Sequence, residues 1–160
     1  VLGRPQPRQA LVTLVDRLVE ADSPRRISAD DVTEIGRRNG TDLPRDFRTE
    51  LEHLYRDYLL YCFTDHQLSD DELADLAHLE SIFQLEPATC DVIHRHVARQ
   101  LYFKSVSEVL ADGTISADER AFLQQLQQQL GLPAALAENI SDVRERQVNS
   151  ARRNPRKRPS

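Results

Sequence analysis

Apolar side chains recur along this chain at helical spacing and nowhere alternate with period two. Leu51, Leu54, Tyr55, Tyr58, Leu59 and Cys62 fall at i, i+3, i+4, i+7, i+8 and i+11, one continuous stripe along a helix. Phe122, Leu123, Leu126 and Leu130 repeat that spacing, leaving Gln124, Gln125, Gln127, Gln128 and Gln129 largely to solvent. The pattern predicts helices over 7–21, 29–38, 45–63, 70–84, 88–111, 117–130 and 134–140. A shorter one is expected over 142–150, with Ser141 as its cap. The longest, 88–111, would span about 36 Å. It carries Val92, Ile93, Val97, Leu101, Tyr102, Val106, Val109 and Leu110, a central strut on this reading. The fold class is therefore all-α, a bundle of about seven helices.

The helices come in copies. Thr-Asp-His-Gln-Leu-Ser-Asp-Asp-Glu at 64–72 aligns with Ala-Asp-Gly-Thr-Ile-Ser-Ala-Asp-Glu at 111–119, an offset of 47 residues. The register holds onward, carrying Leu76 to Leu123, Leu79 to Leu126, Phe83 to Leu130 and Ile93 to Ile140. A degenerate copy at 21–31 shares Ile-Ser-Ala-Asp with the last one and has two extra loop residues. Two clear helix–turn–helix repeats and one degenerate repeat result. Ser28, Ser69 and Ser116 are N-cap candidates, each with an acid three residues on: Asp31, Glu72 and Glu119. Gly40 and Gly131 suit a left-handed residue after a helix, and Pro44, Pro87 and Pro133 suit a first turn. The expected organisation is a degenerate repeat over 1–44, a repeat domain over 45–143 and a basic, disordered tail over 144–160.

Charge divides along the same lines. Seven basic residues against Glu145 lie between Arg144 and Ser160, so the net charge of −5 leaves the first 143 residues near −11. An acidic body matches a phosphate backbone poorly. Nucleic acid or an anionic lipid surface could be met only by the tail, through Arg152, Arg153, Arg156, Lys157 and Arg158. Lys104 and Lys157 are the only lysines, a bias that fits a GC-rich bacterial genome. No apolar run reaches the roughly 18 residues of a membrane span. The chain opens on Val1 and contains no methionine, which points to a piece of a longer protein, expected in the cytoplasm or as a soluble domain of a membrane-associated protein.

Asp112 to Glu119 reads like the second half of a calcium loop: acid, glycine, isoleucine, then glutamate six residues past the glycine. A full loop would also need oxygen ligands at positions 108 and 110, and Leu110 has none to offer. The candidate cation ligands are Glu108, Asp112 and Glu119, with Asp65 and Glu72 through the repeat, where His66 replaces the glycine. His94 and His96 point about 200° apart on a helix, and no HExxH is present. Cys62 and Cys90 read as packed thiols. No phosphate loop or nucleophile elbow occurs, and the acid pairs 30–31 and 70–71 sit in first helical turns. The expectation is no enzyme, and no cofactor beyond a weakly held divalent cation.

Leu-Ala-Asp-Gly-Thr-Ile-Ser-Ala-Asp-Glu-Arg, followed by Leu-Gln-Gln-Gln-Leu-Gly-Leu-Pro, resembles the tellurite-resistance protein B-like (TerB-like) helical superfamily. Related repeats occur in membrane-anchored DnaJ-type co-chaperones and in the import scaffold of the chloroplast inner envelope. The resemblance covers about 45–140. It implies an accessory all-α module that binds a protein partner. As alternatives it implies a divalent-metal-binding regulatory or stress-response domain, with acids in the turns at the positions of Asp112 and Glu119.

Overall fold

The computed structural model describes residues 4–65 and 68–153, in which eight α-helices and three short 3-10 turns occur and no strand is found. The chain divides into two compact units, residues 1–94 and 95–160.

The first unit contains α1 (Pro7–Glu20), α2 (Ala29–Arg38), α3 (Leu43–Asp46), α4 (Arg48–Cys62), α5 (Asp70–Ile82) and the start of α6 (Pro87–Val109). α1 packs on α2, and α4 on α5. Leu14, Val32, Leu43, Leu51, Tyr55, Leu59 and Phe83 are buried among them. Each such side chain contributes about 1.5–3 kcal/mol on leaving water. The helix expected over 45–63 is broken into α3 and α4 at Phe47 (φ −123°, ψ 35°), whose side chain is itself buried.

The second unit holds the rest of α6, then α7 (Ala117–Gln129) and α8 (Ala134–Arg153). Val97, Ala98, Tyr102, Val106 and Leu110 of the α6 segment, Leu123 and Leu126 of α7, and Ala137 of α8 are its buried residues. Three expectations change here. Val92 of α6, in the first unit, and Phe122 of α7 lie off the core, 56% and 44% exposed, so the buried stripes are narrower than apolar spacing suggested. Gln127 is half-buried, its amide donating to the Leu132 carbonyl. The break expected at 140–142 is absent, because 134–153 contains no glycine or proline and Ser141 starts no new helix. The short helix expected over 142–150 is therefore the end of α8, and the basic segment is helical through Arg153. Arg156, Lys157 and Arg158 lie outside the described residues.

All three turns are capped alike. Asp31, Glu72 and Glu119 accept from the serine N–H at 2.9, 2.8 and 2.7 Å while their own N–H groups donate to Ser28, Ser69 and Ser116 Oγ. Aspartate closes the first box as glutamate closes the others. The helices also end alike. The N–H of Thr41, Leu85 and Leu132 donates back to Gly36, Glu80 and Gln127 carbonyls, and the intervening residue is left-handed each time: Gly40, Gln84, Gly131.

Candidate functional site

Counting back from each cap serine places Ala10, Leu51 and Ala98 in one row and Leu14, Tyr55 and Tyr102 in another, all buried. The first copy is thus structurally regular where its loop sequence is degenerate. Its main departure is a polar cluster that spacing alone did not reveal. Asp75 on α5 is 8% exposed and accepts from Tyr58 Oη at 2.7 Å, Arg25 Nε at 2.8 Å and Ser23 Oγ at 2.9 Å. Burial raises its pKa, and the three donors outweigh burial, holding the carboxyl below its ordinary 3.8. The legible signal was an acid standing in an apolar row, Asp75, Leu79 and Ile82.

Beside this cluster lies an apolar groove of about 450 Å³ between α1 and α4. Val15, Leu18, Val19, Leu54 and Tyr61 line it, with Asp57 at the rim. Val19 is 78% and Tyr61 73% exposed, the Tyr61 ring leaning on Tyr58 with centroids 6.1 Å apart, so the groove offers apolar surface to solvent.

His94, His78 and the two thiols serve packing. His94 Nε2 lies 2.7 Å from Tyr55 Oη, and His78 Nε2 lies 2.5 Å from the Ile27 carbonyl, to which it donates. Burial lowers the pKa of His94 against Asp91 and Glu80, which pull it up. Cys62 and Cys90 are buried free thiols, each pushed up to about 11 chiefly by burial, so neither is a thiolate at neutral pH.

The acids singled out in the turns fall in two sets. Asp65 and Glu72 belong to the first unit, Glu108, Asp112 and Glu119 to the second. Glu72 and Glu119 close their capping boxes, and Asp112 Oδ1 accepts from the Thr114 N–H at 3.2 Å. α6 runs to Val109 and passes directly into a 3-10 turn at Leu110–Asp112, with Leu110 buried. Among the described residues no group of three or more His, Cys, Asp or Glu side chains is gathered so as to hold a metal ion. His66 lies outside the described residues.

In the second unit α8 runs beside the end of α6. Tyr102 meets Ser141, with Oη to Oγ 3.4 Å, and the Arg144 guanidinium stands 5.4 Å from the Phe103 ring centre. Further on, Arg152 lies against Gly113. The chloroplast envelope transporter family Tic110 matches residues 44–151. The chain belongs to this family. No curated protein and no solved structure matches it.

The Tic110 match opens at Pro44 and closes at Ala151 inside α8, so it covers both copies related by the offset of 47 and omits the first capped hairpin. It falls on the chloroplast-envelope part of the expected resemblance. The matched family is one of envelope transporters, not an enzyme family. No helix among the described residues is long and apolar enough to cross a membrane.

Proposed function

We propose that this chain is a non-catalytic, protein-binding scaffold module of an envelope-associated assembly. The family match over 44–151 carries the reading. The side-chain chemistry supports it: the polar groups described above cap helices, join α5 to its neighbours or pack, and burial keeps the Cys62 and Cys90 thiols protonated. On this reading the chain works at an envelope, where the sequence suggested cytoplasm, and its described helices supply no membrane span of their own.

The α1–α4 groove is the surface offered to the partner. Its exposed Val19 and Tyr61 with Asp57 at the rim fit an apolar segment flanked by a basic residue. Val19→Asp combined with Tyr61→Asp changes only side chains that are already solvent-facing. Polypeptides that co-purify with the intact chain should be lost from this variant while its helicity is unchanged. An identical set on both proteins would refute the reading.

A further inference from the structure

The cleft between α6 and α8 in the second unit departs from the acidic character of the chain. Ser107, Leu110, Ala111, Val148 and Ala151 form its walls, and Arg144 and Arg152 stand at its two ends. Each guanidinium has donors to spare. Arg144 gives Nη1 to Gln147 Oε1 at 3.1 Å, but its Nε is buried with no partner among the described residues. Arg152 makes no hydrogen bond or ion pair among the described residues, and it lies against Gly113, where any side chain would run into the guanidinium. Glycine at 113, with φ of 97°, therefore both makes the turn and leaves room for Arg152.

We infer that this cleft binds an extended acidic peptide segment whose two carboxylates are four residues apart with an apolar residue midway. Arg144 and Arg152 are eight residues apart on one helix, about 12 Å along its axis. In an extended strand, residues one, three and five share a face, and the first and fifth stand about 13 Å apart. Two carboxylates at those positions reach both guanidiniums while the third side chain meets Ala111 and Val148. Charge complementarity selects the occupant: an acidic segment meets repulsion over most of this chain and attraction here. The inference rests on the protein-binding reading and names the chemistry of one partner segment.

A fluorescent five-residue peptide with glutamate at positions one and five, leucine at three and serine at two and four tests it by anisotropy against the whole chain. Binding should weaken at least tenfold when both glutamates become glutamine, and at least fivefold in Arg144→Gln or in Arg152→Gln. The second variant alters an exposed side chain near the end of α8, and an unchanged melting temperature separates lost binding from a folding defect. Equal binding of the two peptides, no binding at millimolar peptide, or Arg152-dependent recruitment to phosphatidylserine vesicles without peptide binding would overturn the inference. Retained peptide binding by the Val19→Asp/Tyr61→Asp variant separates this cleft from the groove, so either can fail alone.

Discussion

Tyr55 Oη lies 2.7 Å from His94 Nε2, and the offset of 47 residues carries this pair onto Tyr102 and Ser141, whose hydroxyls stand 3.4 Å apart. The repeat therefore preserves a tertiary contact as well as a turn. It also carries the 3-10 turn Phe63–Asp65 onto Leu110–Asp112, and buried Cys90 onto buried Ala137. α6 is long because it serves twice, closing one copy with its first half and opening the next with its second.

The two equivalent contacts differ in strength, and that difference is measurable. Tyr55→Phe leaves a half-buried imidazole nitrogen without its partner and should cost about 1–3 kcal/mol, whereas Tyr102→Phe loses only a long contact and should cost less. Denaturant midpoints of the two variants give the comparison. Equal losses would show that the 2.7 Å bond contributes nothing special.

His94 makes the first contact pH-sensitive. Burial lowers its folded pKa below 6.5, so the unfolded chain takes up the proton more readily. The stability from this group is complete above pH 6.5 and declines as pH falls through that value toward the folded pKa. Thermal melts between pH 8 and 5 should show a decline that His94→Gln reduces. A decline unchanged in the variant would place its origin elsewhere.

Asp75 titrates lower. Its folded pKa lies below 3.8, so its contribution is present above that value and is lost as pH falls through the folded pKa. Asp75→Asn should cost about 1.5–3 kcal/mol at neutral pH, because hydrogen bonds to a charged group become neutral ones. Urea unfolding at pH 7 and pH 3 should find the gap between variant and parent narrowing in acid. A gap that stays constant would argue against an ionised Asp75 in the folded state.

The helix ends make opposite predictions at equivalent positions. Gln84 is left-handed at φ 53°, where Gly131 stands in the next copy at φ 66°. Gln84→Gly should stabilise by about 1 kcal/mol, and Gly131→Ala should destabilise by a similar amount. Gly36→Ala should also destabilise, because its Cβ would stand 2.5 Å from the Thr41 carbonyl oxygen that ends the first hairpin. Melting temperatures of the three variants suffice, and a destabilised Gln84→Gly would contradict the assignment.

Much of this fold was legible because its signals are local. A serine with an acid three residues on specifies a capped helix start, and a glycine before a proline specifies an end. Asp31 followed the same rule with a shorter arm, and Gln84 occupied a glycine's place with no glycine to announce it. Phe122 misled because an apolar residue at helical spacing need not face the core. The continuation of α8 past Ser141 was hidden by a residue type that caps elsewhere in this chain. The candidate surfaces were less visible, since Arg25 meets Asp75 across 50 residues and the Arg152–Gly113 approach depends on packing of α8 against α6. No period in the sequence encodes such pairings.

The scaffold reading is tested most directly by a photo-reactive side chain placed at Val19 in the intact protein, with exposed Gln128 as the comparison position. The account predicts a discrete set of polypeptides cross-linked from Val19 and missing from Gln128. The same pattern from both positions, or none from Val19, would contradict it.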